Sequence, residues 1–393
     1  MSTPEHVVVV GAGLAGSKVV QELQRLGFEG RITLIGAEVH PPYDRPPLSK
    51  QVLAGTKDVD DVLLARIETL QEAGVDVRLG RRVTRVVPGS VTSDDGQVIE
   101  ADAIVVATGV GPRVPDWLDV GGPLHVLRTR EDSLRLREAI AGGSSLLVLG
   151  GGFIGAEVAA TAAAAGLDVT LVEARETLLA GALPAEVGEV IAGLHRDRGV
   201  TVLTGTPVQS VVERDGRAVA TLADGRELVA DVGLIGFGTT LDSEPIAELL
   251  DAATGIRTDA DGRVEGVEGV YAVGDVAAWF DPRLGRHVRR EHWSTANEHA
   301  TRVAHHIVGA DLPPFLAHAV PYFWSDQYDV KIQVVGWPDE ATAGGWVAHE
   351  AGENVVYEFT DGDRLVGAVT IGGPRLLGPL RKRLTEQAAP VEP

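Results

Sequence analysis

Val7-Val8-Val9-Val10-Gly11-Ala12-Gly13-Leu14-Ala15-Gly16 and Leu146-Leu147-Val148-Leu149-Gly150-Gly151-Gly152-Phe153-Ile154-Gly155 are two copies of one pattern, set 139 residues apart. Each is an apolar run, then G-x-G-x-x-G, then a helix-like stretch (Leu14 to Leu26, Phe153 to Ala165). The run reads as a buried parallel strand. The first glycine makes the tight turn, the second lets the backbone approach a pyrophosphate, and the third lets the helix pack on the strand. Phosphates then meet the helix N-terminus, with its free N–H groups and partial positive charge. A single such loop could be a plain strand–helix turn. Here the strand-before, helix-after context is met twice, which implies two dinucleotides, one handing electrons to the other.

A second strand should follow each loop and end at an acid that holds a ribose. Val169-Thr170-Leu171-Val172 ends at Glu173, which fits. Ile32-Thr33-Leu34-Ile35 ends at Gly36, so Glu38, two residues on, becomes the candidate of the first copy.

The duplication runs further. Asp95-Gly96, Asp102 and Gly109 recur 129 residues later as Asp224-Gly225, Asp231 and Gly238. Each segment reads as a hairpin turn, a strand, and an apolar strand (Ala103 to Ala107; Val232 to Ile235) ending in glycine. The two offsets differ by ten, so the first copy carries ten extra residues, for which Pro41-Pro42-Tyr43-Asp44-Arg45-Pro46-Pro47-Leu48-Ser49-Lys50 is the candidate. Its four prolines argue against helix and strand. A stiff lid carrying Arg45, Ser49 and Lys50 over the first nucleotide is one reading, and a surface connection is the other.

Composition narrows the classes. A length of 393 residues suits two or three domains, and 44% hydrophobic content supports large cores. No apolar run approaches the roughly 18 residues of a membrane span, and strand one begins by His6, which leads us to expect a cytoplasmic protein without a membrane anchor. With no cysteine there is no redox disulfide, thiolate nucleophile or protein-bound iron–sulfur cluster. Electrons reaching the second nucleotide must therefore leave directly to a separate acceptor. A net charge of −21 argues against nucleic acid. Basic clusters remain at Arg78, Arg81, Arg82 and Arg85, at Arg283, Arg286, Arg289 and Arg290, and at Arg375, Arg381, Lys382 and Arg383; they are docking sites or ordinary surface charge.

Beyond the fingerprints, several stretches carry a resemblance. They are the proline-rich loop 41–50, Ala107-Thr108-Gly109, Leu127-Arg128-Thr129, Gly150 to Glu157, Gly269-Val270-Tyr271-Ala272-Val273-Gly274-Asp275, Glu291-His292-Trp293, and Tyr322-Phe323-Trp324-Ser325-Asp326-Gln327. Over nearly its whole length the chain resembles the bacterial NADH-dependent ferredoxin reductases of oxygenase systems. The resemblance implies an α/β fold with two Rossmann-like domains and a C-terminal α+β domain. An FAD domain would span 1–112 and 236–314, an NADH domain 113–235, and the C-terminal domain 315–393. Leu365 to Ile371 and Asn354 to Phe359 independently read as strands joined by Asp361-Gly362-Asp363, followed by a basic helix.

The resemblance also implies roles. Gly11, Gly13, Leu14, Ala15 and Gly16 would cradle the FAD pyrophosphate. Glu38, Arg45, Arg82, Val83, Ala107, Thr108, Gly109, Arg128, Thr129, Gly238, Gly274, Asp275, Glu291, His292, Trp293 and Trp324 would line the FAD. Gly152, Phe153, Ile154, Gly155 and Glu173 would hold NADH. Lys50 would lie at the ring edge where hydride arrives, its charge favouring the negative charge that develops there. Glu157 would orient the nicotinamide and pair with Lys50; otherwise it is a carboxylate favoured by the helix dipole. Asp275 would bind the ribityl and phosphate part of FAD, and could cap a helix as well. The aromatics are otherwise core. Glu173 would hydrogen-bond a free 2′-hydroxyl and repel a 2′-phosphate, favouring NADH over NADPH, with Arg175 softening the preference. After Gly236-Phe237-Gly238 the chain departs from the family pattern, reading Thr239-Thr240-Leu241-Asp242 where a proline is usual.

The implied activity converts a two-electron donor into single electrons for a [2Fe–2S] ferredoxin that serves an oxygenase. Such encounters bury less than roughly 1,200 Å2 and are steered by charge, which makes the basic clusters the docking candidates. The alternatives are an NADH oxidase or quinone reductase, and a slow nicotinamide-sensing flavoprotein.

Overall fold

The computed structural model describes residues 3–241, 246–247, 249, 254–317, 319–347, 355–372 and 374–387; Asp242 and Asn354 lie outside them. The strand His6–Val10 is buried along its whole length, as a strand covered on both faces must be. It lies third in a five-stranded parallel sheet ordered Val270–Ala272, Ala103–Val106, His6–Val10, Arg31–Gly36, Val75–Leu79. The helix Leu14–Arg25 packs Val19, Val20 and Leu23 into the core beneath it.

The second half repeats this. Ser145–Leu149 is third in a parallel sheet ordered Thr201–Leu203, Asp168–Val172, Ser145–Leu149, Val232–Ile235, Leu124–His125. Register preserves the duplication: Val7 pairs with Ala103, and Leu146 with Val232. The recurring aspartates do the same work. Asp102 accepts the backbone N–H of Glu5 and His6, both at 2.9 Å, and Asp231 accepts those of Ser144 and Ser145 at 2.9 and 3.1 Å. Those bonds, with the Ser144 hydroxyl foremost, hold Asp231 well below the usual carboxylate range. Each copy also carries a three-stranded antiparallel sheet, Val83–Val87, Ser90–Ser93, Val98–Glu100 and Val208–Arg214, Arg217–Leu222, Glu227–Ala230.

The extra length sits where the sequence put it, and is larger. Paired Thr33 and Asp76 are 43 residues apart, and their counterparts Thr170 and Thr201 are 31 apart, an excess of twelve. Smaller differences elsewhere bring the net to ten. The prolines do not exclude helix altogether, because Pro46–Ser49 forms one 3-10 turn with proline in its first positions. There proline's fixed φ fits and its missing N–H is no loss.

A third sheet, antiparallel, runs Tyr322–Gln327, Val330–Gly336, Arg364–Gly372, Val355–Asp361, Ala343–Val347, and the helix Leu377–Gln387 covers it through Leu380 and Leu384. The two passages between the parallel-sheet units run side by side, Gly111–Pro112 pairing with Thr239–Thr240. No described helix is long and apolar enough to cross a membrane.

Candidate functional site

Both glycine loops have the geometry that the spacing demands. Gly11 has φ +111°, and a Cβ there would lie 2.3 Å from the Ala107 carbonyl oxygen. Gly150 repeats this at φ +116°, 2.1 Å from the Gly236 oxygen. At Gly16 and Gly155 a Cβ would strike the Gly11 and Gly150 oxygens at 1.9 and 2.1 Å. At Gly13 and Gly152 it would meet no atom within 4 Å. The outer glycines serve the fold, and the middle ones border open space at a helix N-terminus. Neither helix has a side-chain cap or an acid in its first turn, so its leading N–H groups are available to an anion.

Around the first loop the fit to a dinucleotide is specific. Gly274 has φ +72°, and its turn lies against Ala15, where a Cβ would approach to 3.0 Å. That turn brings Asp275 to 3.6 Å from the Arg128 guanidinium, which itself lies beside Gly109. Burial pushes Asp275 up and Arg128 down, with Arg45 adding to the effect on Arg128. The Thr108 hydroxyl is buried with no hydrogen-bond partner. Helix N–H groups, a half-buried arginine and an orphaned hydroxyl together form a cradle suited to a pyrophosphate and ribityl chain. Glu38 takes a charge-assisted bond from Arg45 at 2.7 Å and another from the Tyr43 hydroxyl, while Arg45 also donates to the Arg128 carbonyl at 2.6 Å. Val83 is buried, and Arg82 donates its backbone N–H to Asp94. The departed loop gains a contact, since Thr239 donates to Glu291 at 2.8 Å. Thr129 turns out to cap the helix Arg130–Gly142, reciprocally with Asp132.

Around the second loop, Glu173 accepts from the N–H of Gly151 at 2.7 Å and of Arg175 at 2.9 Å. The first copy has Gly36 at this place because a Cβ there would press to 2.7 Å from the Ala12 side chain. The acid is thereby displaced to Glu38.

The two halves meet at Lys50. Its ammonium donates to Glu157 at 2.7 Å, to the Pro46 carbonyl at 2.9 Å and to the Ser49 hydroxyl at 3.2 Å. Glu157 is 4% exposed and also accepts from Ser49 at 2.5 Å and Ser325 at 2.7 Å. It is the fifth residue of the helix Phe153–Ala164, past the first turn, so its partners rather than the helix dipole account for it. Residues from the lid loop, the second glycine-loop helix and the third sheet thus converge on one carboxylate. Thr161 on the same helix holds the lid by donating to the Ser49 carbonyl, and Ser133 does so through Leu48.

The aromatics form a rim rather than a core. Trp293 is 38% exposed and donates to Asp44 of the lid at 2.9 Å. Its ring meets Trp324 edge-on at 5.9 Å, Trp324 stacks on Tyr322 at 5.8 Å, and Arg381 caps Tyr322 at 4.6 Å. Phe323 lies against both His292 and Phe153, while Ile154 is exposed. Burial lowers His292 to about 4. Of the basic clusters, Arg283 is bidentate to Glu340, Arg289 binds Glu291 and the Asp275 carbonyl, and Arg290 binds Asp281. Arg375, Arg381, Lys382 and Arg383 are exposed; Arg381 lies over the Tyr322 ring of the rim, Lys382 pairs with Glu386 at 3.7 Å and Arg383 is held by Glu358. Sequence reasoning placed Tyr43 and Asp44 in the proline-rich loop without giving either a role, and did not reach His195, which no motif flags.

Residues 5–300 match the family described as pyridine nucleotide-disulphide oxidoreductase, and residues 322–393 match the one described as reductase C-terminal. The ferredoxin–NAD(+) reductase component of the p-cumate 2,3-dioxygenase system of Pseudomonas putida is 35% identical, over 98% of this chain and 94% of that protein. The ferredoxin reductase component of chlorobenzene dioxygenase of Cupriavidus sp. (strain PS12) is 35% identical, over 99% of this chain and 94% of that protein. The covalent putidaredoxin reductase–putidaredoxin complex superposes with a TM-score of 0.91 at 29% identity, covering 98% of this chain and 93% of that one.

Proposed function

The chain belongs to the pyridine nucleotide-disulphide oxidoreductase family, and from that premise we propose that it is an FAD-dependent ferredoxin reductase, drawing electrons from NADH for a [2Fe–2S] ferredoxin that serves an oxygenase. The observation that carries the reading is the buried Lys50–Glu157 pair, which joins the lid of the first glycine loop to the helix of the second. Bound FAD supplies a group that accepts hydride and gives up electrons singly. The rest falls to the chain's own residues.

The first loop, with Arg128, Thr108 and Asp275, holds the flavin nucleotide, and the second, with Glu173, holds NADH by its ribose. Lys50 sets a fixed positive charge where negative charge develops. Glu157, held by two hydroxyls as well, fixes the direction of that ammonium and presents a carboxylate edge to the nicotinamide. The lid, pinned by Ser133, Thr161 and Trp293, keeps water out. The rim of Trp293, Trp324 and Tyr322, ending at Arg381 and Lys382, offers an acidic ferredoxin a docking face. The domain division 1–112 with 236–314, 113–235 and 315–393 and a cytoplasmic location belong to the same reading. The domain division is supported by the pairing of Gly111–Pro112 with Thr239–Thr240 at the crossing points.

The test is NADH-dependent cytochrome c reduction with and without a [2Fe–2S] ferredoxin. Strong stimulation by ferredoxin is expected. No stimulation, with steady NADH loss to oxygen, would replace this reading with an oxidase; little turnover in any mixture would replace it with a sensor.

A further inference from the structure

Behind Glu157 the buried polar groups continue, through residues that the proposed chemistry does not use. Ser325 donates to Glu157 at 2.7 Å, and Gln327 bonds Ser325 at 3.2 Å. Gln327 bonds His195 Nε2 at 3.0 Å, and His195 Nδ1 meets the Tyr328 hydroxyl at 2.9 Å. Ser325, Gln327 and His195 are all fully buried. Ser325 and Gln327 point to one face of the strand Tyr322–Gln327, as its alternation requires. His195 lies in the last turn of the helix Ala185–Arg196 of the second glycine-loop unit. Tyr328 sits at a two-residue hairpin tip with φ +57°, a backbone strain that an asparagine or glycine would avoid. The tip is gripped from outside, Arg198 lying over the Tyr328 ring at 4.7 Å and pairing with Asp329 at 2.5 Å.

The carboxylate dictates the direction of every bond in this chain. A carboxylate only accepts, so the single Ser325 proton must point at Glu157. Ser325 Oγ must then accept from the Gln327 amide nitrogen. That turns the amide oxygen to His195, whose Nε2 must carry the proton, and leaves His195 Nδ1 to accept from Tyr328. Burial lowers His195 to about 4, which keeps the ring neutral as this tautomer needs. Aligned donors polarise one another. An amide in the middle does not pass protons, so the chain orients and does not conduct.

We propose that Ser325, Gln327 and His195 are positioning residues of the hydride-transfer site, a one-way hydrogen-bond chain anchored at the strained Tyr328 hairpin that fixes Glu157, and through it Lys50, from the C-terminal domain. This rests on the assignment of Lys50 and Glu157 made above. It has a consequence for a distant ring. In Glu157→Gln the amide oxygen must face Lys50 and Ser49, both donors, so its NH2 faces Ser325. Ser325 then accepts, Gln327 reverses, and His195 must shift its proton to Nδ1.

The test uses holoenzyme labelled with ring-15N histidine, the His195 signals being identified by their loss in His195→Asn. The expected result is an Nε2–H tautomer in the parent and an Nδ1–H tautomer in Glu157→Gln. An unchanged tautomer, or Nδ1–H in the parent, overturns the chain. In stopped flow at saturating NADH, Ser325→Ala should slow flavin reduction roughly tenfold to a hundredfold. NADH affinity and FAD content should hold, and Ser325→Thr should restore the rate. If Lys50→Met slows the step while Ser325→Ala does not, the positioning role is overturned and the site assignment stands. If neither slows it, the site assignment itself is overturned, and the positioning role with it.

Discussion

Replacing Lys50 by methionine keeps the aliphatic stem and removes only the charge and its three donors. At 2.7 Å and an effective dielectric near 20, the attraction between Lys50 and Glu157 is about 6 kcal/mol before desolvation is charged against it. With side-chain exposures of 11% and 4%, little solvent screens it. Removing one partner of such a pair costs about 3–5 kcal/mol, because the other charge is left buried. Here Ser49 and Ser325 still donate to Glu157, which places the expected loss at the lower end. A fixed charge facing developing charge contributes roughly a hundredfold to a thousandfold to rate. Lys50→Met should therefore slow NADH-driven flavin reduction by about that much. Glu157→Gln should slow it less, and the double variant should be no slower than Lys50→Met alone, a coupling of about 1.5–3 kcal/mol in the cycle. Stopped-flow reduction at saturating NADH measures all four corners. A Lys50→Met rate within threefold of the parent, or additive losses, would refute the assignment of this pair.

Three further outcomes follow from the geometry. Glu173→Ala removes the acceptor for a ribose hydroxyl, so the ratio of kcat/KM for NADH over NADPH should fall by about tenfold or more; an unchanged ratio would remove Glu173 from cofactor choice. His195 is depressed to about 4 from 6.5, so the unfolded chain takes up a proton as pH falls through 6.5 while the folded one takes it up only near 4. Stability is therefore lost across that window, by about 2 kcal/mol between pH 7 and 5 from this residue alone. Urea unfolding of His195→Gln should show a drop smaller by that amount, and equal drops would contradict the burial argument. Charge reversal at Arg381 and Lys382 should lower ferredoxin reduction about tenfold at low salt, less at high salt, and spare reduction of a small dye. Arg289 and Arg290 are poorer choices: unlike the solvent-exposed Lys382–Glu386 pair, their pairs with Glu291 and Asp281 are largely shielded, and reversal there would disturb the Asp275 region.

Much of the fold is legible in the sequence because its causes are local. The turn after Val10 needs a glycine at positive φ, and the helix after it needs a glycine at the third position of the fingerprint. Those demands recur at Gly150 and Gly155 for the same steric reason. Asp102 and Asp231 recur because each caps the start of the same strand, and the insertion shows as a change of offset. The acid of the first copy also has a local cause, for Gly36 is forced by Ala12 and Glu38 follows. Where the sequence left two readings open, a partner distant in sequence separates them. Glu157 is held by Lys50 and Ser325 rather than by the helix dipole, Arg289 and Arg290 are tied to Glu291 and Asp281, and Trp293 lies half-exposed against Asp44 rather than in the core.

The glycine spacing, the apolar strand runs and the duplicated offsets alone determine the two nucleotide-binding sheets, because each turn and strand is set by backbone sterics within a few residues of itself; the covering domain comes from the resemblance, with two of its strands and its last helix legible in the sequence. The convergence on Glu157 is set otherwise. Lys50 is 107 residues from it and Ser325 is 168. No periodicity links those positions, and His195 carries no motif at all. Only the packing of three separately formed sheets brings their hydroxyls, amide and ammonium within hydrogen-bond range. The direction in which the protons lie follows from the one group there that can only accept.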